Sequence, residues 1–184
     1  MGDTQSEGSL FEAIVWVVGE ANTTGESLGL EVPKYNDGSV HLQLRAAALA
    51  IVDAVGDNEV LGVRADLLPG RGDQSPEIAI LVATDCALLA STVIVRSGVK
   101  ASVSVRRRPW SGFAASKVSS SSEFKIGAGV VVPESIATTL ILPGGDKKLS
   151  VEDSWKAADQ SADVNGIPRL TAKLLARIAA ERIV

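Results

Sequence analysis

The chain has 184 residues, 46% of them hydrophobic, with a formal net charge of −4 and a pI near 5.1. That length and apolar content suit one domain with extensions or two small ones, and the acidic balance argues against a large nucleic-acid footprint. Aromatic residues make up only 4%, too few for a surface that stacks sugars or bases.

Residues 1–8 are polar, with two glycines, and are expected to be disordered. Ser9 and Glu12 have the spacing of a capping box. A helix is therefore predicted from there to about Asn22–Gly25, although the β-branched run inside 11–18 leaves a strand as competitor. Leu28–Val32 alternates ahead of Pro33 and reads as a short edge strand. After a turn at Tyr35-Asn36-Asp37-Gly38, Val40–Leu44 alternates as a strand does. Alanine-rich Arg45–Val55 is helical, stopped by Gly56. Val60–Leu67 reads as a strand, and 68–76, with two prolines and two glycines, as a loop. Ile78–Ala83 is a continuous apolar strand, expected to be buried on both faces. Asp85 is placed to cap a second helix that Gly98 ends; β-branched residues leave 92–96 open between helix and strand. Val99–Val105 alternates as a half-buried strand.

The style of the chain then changes. Residues 106–122 combine three arginines, a proline, two rings and four consecutive serines, and read as a long loop. Phe124–Val132 and Ala137–Leu142 are predicted strands, the second closed by Pro143-Gly144-Gly145. Ser150–Ala158 reads as a short helix. Gly166-Ile167-Pro168 opens the last helix, with Pro near its first turn. There Ile167, Leu170, Leu174 and Ile178 form an apolar stripe against Arg169, Lys173, Arg177 and Arg182.

Little in the chain specifies chemistry. His41 is the single histidine and Cys86 the single cysteine, so no internal disulfide forms and no metal or cofactor is expected. His41 reads as a solvent-facing strand residue. Cys86, after a buried strand, reads as a structural thiol, since buried cysteines are commonly inert. Its place at the start of the predicted helix makes it the best candidate for reactivity. Asp57-Asn58-Glu59 reads as a solvated turn. Gly127-Ala128-Gly129 lacks the Lys and helix of a phosphate loop, and Arg71-Gly72-Asp73 is a chance tripeptide. The strongest local departure is Arg106, Arg107, Arg108, Trp110 and Phe113. Arginine and tryptophan are the side chains that anchor protein interfaces, so this segment is expected to be exposed and to contact a partner. The stripe of Leu170, Leu174 and Ile178 is the second expected contact.

The predicted order over the first half is β-α-β-β-α-β. It specifies an α+β fold: an antiparallel sheet with helices packed on one face, ferredoxin-like in its core, plus an N-terminal helix and a C-terminal helical extension. The expected divisions are 1–8, a domain over 9–145, and the extension over 146–184. The order is similar to that of shell proteins of bacterial microcompartments, which implies a ring-forming module. With no catalytic inventory, a small-residue core and the Arg-Trp segment, the expected function is a non-enzymatic structural subunit of a larger assembly, cellular or viral. Its partner is another copy or an assembly component rather than nucleic acid or a membrane. The alternative is a small enzyme or ligand-binding domain with its site near Cys86 at a strand end. The apolar run Leu10–Val18 is too short to span a bilayer and lacks the basic flank of a signal peptide, so the expected location is the cytoplasm, or the virion.

Overall fold

In the computed structural model the described residues are 7–27, 38–68, 77–94, 103–124, 131–154 and 163–183. The chain divides into two compact units. One is Met1–Arg107 with Asp163–Arg169; the other is Arg108–Ala162 with Leu170–Val184. The predicted strand over 28–32, the Arg71-Gly72-Asp73 tripeptide and Gly127-Ala128-Gly129 lie outside the described residues.

The first unit opens with two helices, α1 (Glu7–Ser27) and α2 (Gly38–Val55). In α1 the buried positions Leu10, Ala13, Ile14, Val17 and Val18 share one face. This helical spacing decides the competition with a strand over 11–18. The helix starts at Glu7, so Ser9 lies inside it rather than at its cap. In α2, Leu44, Ala47, Ala48, Ile51 and Val55 are buried at the same spacing. The strand expected over Val40–Leu44 is therefore helix, and His41 lies on it: five alternating residues do not outweigh a helical period that continues through the next eleven. Gly56, at φ 56°, closes α2 by donating its N–H to Val52 at 3.1 Å, a left-handed cap that favours glycine.

Four strands follow: β1 (Val60–Leu68), β2 (Glu77–Thr84), β3 (Ala87–Ile94) and β4 (Val105–Pro109), adjacent in that order. The first two pairings are antiparallel hairpins. The helix expected after Asp85 is strand β3, joined to β2 by the two residues Asp85 and Cys86. A short apolar run reads equally as buried helix or buried strand. Here the tight turn and the β-branched end, Thr92–Ile94, select the strand. The predicted βαββαβ order is thus not the order found: the described elements run α-α-β-β-β-β. The helices pack on the sheet, α1 against β1 and β2 and α2 against β3. The core joins Ile14, Ile51, Val63, Ile78, Ile80, Leu89 and Val93. The segment 163–169 completes this unit. Val164-Asn165-Gly166-Ile167 is a two-residue hairpin with φ of 52° at Asn165 and 78° at Gly166, closed by reciprocal bonds of 2.8 and 2.9 Å. Asn-Gly is the pair that this turn favours, which is why no helix begins there.

The second unit is a three-stranded antiparallel sheet of β5 (Ala115–Phe124), β6 (Val131–Ile141) and β7 (Lys148–Ser154), in that order. The long loop expected over 106–122 is instead β4, a short 3-10 turn at Trp110–Gly112 and most of β5. Residues 115–120 are exposed on both faces, so this stretch of β5 leaves no hydrophobic period to read. The helix expected at Ser150 is strand β7, whose inward residues are Val151 and Asp153. Leu142-Pro143-Gly144-Gly145 turns the chain between β6 and β7; Gly144, at φ 94°, takes the position of a type II turn that demands positive φ. Helix α3 (Ala172–Arg182) packs on all three strands. It begins after Pro168, with Thr171 as its N-cap: the Thr171 hydroxyl accepts the Leu174 N–H at 3.1 Å. The Asp153 carboxylate accepts the Ala172 N–H, and the Thr138 hydroxyl donates to the Ala172 carbonyl at 2.7 Å.

The protein is therefore a mixed fold of helices and antiparallel sheets. Among the described residues no helix is long and apolar enough to cross a membrane.

Candidate functional site

The site residues predicted from sequence separate into different surroundings. Arg106, Arg107, Arg108 and Pro109 are exposed on β4. Trp110 is only 3% exposed and Phe113 is 5% exposed. Their ring centroids are 6.0 Å apart, and α3 packs against the 3-10 turn that carries Trp110. The expectation that Trp110 is exposed is thus corrected: the turn folds the indole into the second unit's own core. The Arg108 guanidinium lies 5.8 Å from the centre of the Phe113 ring, a cation–π distance. Leu170 and Ile178 are buried and Leu174 is half-buried. The stripe is met by the chain's own sheet, and its fully buried helical member is Leu175 rather than Leu174.

Cys86 does not start a helix. It occupies the second position of the β2–β3 turn and is half-buried. Its thiol donates to Asn58 Oδ1 at 3.1 Å and accepts from an Arg107 guanidinium nitrogen at 3.0 Å. Thr84 braces the turn from below. Its hydroxyl accepts the Ala87 N–H at 3.0 Å and donates to the Ala87 carbonyl at 2.9 Å. The Asp85 N–H donates to the Glu59 carbonyl at 3.0 Å. Asn58 in turn donates from Nδ2 to the Val55 carbonyl at the end of α2. Arg107 and Cys86 are brought together. Among the described residues no group of three or more His, Cys, Asp and Glu side chains is arranged to hold a metal ion.

Sequence reasoning missed the outer face of the two helices. Trp16 is 58% exposed on α1 and Val15 46%; on α2, Leu42 is 66% exposed and Leu49 57%. A groove of about 620 Å³ runs along α1, with Phe11, Val15 and Trp16 beside Gly19 and with Glu12, Glu20 and Asn165 at its edges. A Cβ built on Gly19 would meet nothing within 4 Å. Arg45 of α2 stands 5.6 Å from the centre of the Phe11 ring and joins the two helices across this face. Arg169 holds the 163–169 segment against α1 through a two-point bond to the Glu20 carboxylate, one arm of it 2.8 Å long. A signal was present in the sequence. Once 7–27 is helical, Trp16 lies four residues from both Glu12 and Glu20, on the face that carries the charges rather than on the core face.

No family model matches the chain, and no curated protein matches it. Among solved structures, a DUF1696 family protein with a pleckstrin-homology domain from Shewanella loihica PV-4 is 16% identical, over 74% of this chain and 90% of that one, with a TM-score of 0.39. A likeness at that score carries no argument about this chain.

Proposed function

We propose that this protein is a non-enzymatic subunit that acts by assembling with other protein chains. The observation that carries this is the apolar outer face of α1 and α2, where Val15, Trp16, Leu42 and Leu49 are all more than two-fifths exposed. Monomeric proteins rarely expose contiguous apolar patches larger than a few hundred Å², and larger ones mark interaction sites. Tryptophan is also the side chain most enriched at interface hot spots. The exposed arginines Arg106–Arg108 of β4 are a second contact surface on this proposal. Native mass spectrometry of the protein at its working concentration tests it. A particle heavier than the 19.1 kDa chain is expected; a chain that runs only at its own mass sinks the proposal.

The alternative, a ligand site at Cys86, draws its support from the Arg107 guanidinium 3.0 Å from the sulfur. An anionic group could meet that arginine if the thiol contact opened. Loss of a bound anion on alkylation of Cys86 would favour it over assembly.

A further inference from the structure

We infer that the partner of the α1 face is a second copy of this chain, docked antiparallel so that Trp16 of each copy enters the groove over Gly19 of the other. This rests on the assembly function proposed above and names its partner.

The face carries both halves of such a contact. Trp16 projects with more than half its surface exposed, and one turn along the same helix Gly19 leaves an open floor. A knob and a hole three residues apart on one helix are self-complementary under a two-fold axis, which is the symmetry of most soluble dimers. Placing Trp16 over Gly19 of the second copy sets the whole register. Glu12 then meets Thr23 of the second copy, and Glu20 meets Val15, so no two carboxylates face each other.

Charge argues the same way. By sequence the first unit holds nine basic and fifteen acidic residues, a formal −6, and most approaches between two copies of it are repulsive. This face is balanced: Glu12 and Glu20 are matched by Arg169, bonded to Glu20, and by Arg45, which lies over Phe11. The area lies at the lower end of what specific interfaces cover. Helices of 21 and 18 residues packed together present a face of about 30 by 20 Å, on the order of 600 Å² before side-chain relief. Specific interfaces cover roughly 600–1,000 Å² per partner.

The test is sedimentation equilibrium on the full chain, with Gly19→Leu and Trp16→Glu variants. Gly19→Leu is the decisive change. It fills open space in the single copy and replaces a glycine in a helix interior, so the variant stays folded, with helix content and melting temperature at least those of the parent monomer. It nevertheless blocks the hole. The parent is expected at twice 19.1 kDa, and each variant should weaken self-association by about 30-fold or more, the loss typical of a hot-spot residue. Leu68→Glu, which changes an exposed apolar residue on β1, should leave the dimer intact. If both α1 variants assemble as the parent does, this face is not the contact, although assembly itself stands. If the pure parent is a monomer while the native particle is heavier, the partner is a different protein and the inference is overturned. If the native particle too is a monomer, the assembly function fails with it.

Discussion

Three single side chains decide more than their size suggests. Asn22 of α1 is 2% exposed, and neither of its amide atoms has a hydrogen-bond partner among the described residues. A buried amide without partners costs about 1–3 kcal/mol. Asn22→Leu should therefore stabilise the first unit by about that amount in a urea titration; a loss of stability would show that the amide is satisfied. Cys86 is held by polar groups rather than packed as an apolar one. Cys86→Ser keeps a donor for Asn58 and an acceptor for Arg107 and should shift stability by less than about 1 kcal/mol. Cys86→Val leaves Asn58 Oδ1 without its donor and should cost about 1–3 kcal/mol. Equal losses for the two changes would show that packing, not bonding, matters at this turn. Asp153 accepts the first N–H of α3 from a buried position. Here a negative group also opposes the positive end of the helix dipole. Asp153→Ala should lower the melting temperature of the second unit.

At the scale of elements, the aromatic pair after β4 and the last helix are parts of one core. Trp110→Ala removes a side chain that is 97% buried and should cost about 3–5 kcal/mol, the range for a large aromatic in a core. A sequence-based view of this segment as an exposed contact predicts almost no change in melting temperature, so thermal unfolding separates the two. Helix α3 covers its own sheet through Leu175, Ile178 and Ala179, with Leu170 and Ala172 at its start. Deletion of 170–184 should therefore give an insoluble product or an unfolded second unit, seen as loss of dispersed amide signals. Strand β5 behaves differently: it is an edge strand whose residues 115–120 are exposed on both faces. Val118→Ser on it should change stability by no more than about 0.5 kcal/mol.

At the scale of the whole molecule, the chain builds two units, each with its own buried set. The first centres on the helices over β1–β3, the second on α3 over β5–β7. Their formal charges differ in sign: −6 for the first, and +2 for the second, which holds nine basic and seven acidic residues. Separate cores break the two-state approximation that a small single domain obeys. Calorimetry should resolve two transitions, of which Trp110→Ala lowers one and leaves the other in place. A single transition that shifts as a whole would mean that the units fold together.

What the sequence determined by itself is local. The α2 stop at Gly56, the strands around Val60–Leu67 and Ile78–Ala83, the turn at Pro143-Gly144 and the mixed α and antiparallel β class were all legible, because glycine, proline and a long apolar period act within a few residues. Asn165-Gly166 was equally legible as a hairpin turn, yet it was overshadowed by the basic and apolar stripe that follows it. The tertiary structure decided the rest. Whether Ala87–Ile94 is helix or strand depends on the partner that its backbone finds, and β2 lies next to it across a two-residue turn. Residues 115–120 of β5 have no periodic signal, because a stretch exposed on both faces has no side to keep apolar. Of the two tryptophans in the described residues, Trp110 is inside and Trp16 outside. Residue type alone predicts the reverse for an Arg-Arg-Arg-Pro-Trp segment. What inverted it was the packing of α3, more than sixty residues further along the chain: burial is set by which elements meet, and no local pattern records that meeting.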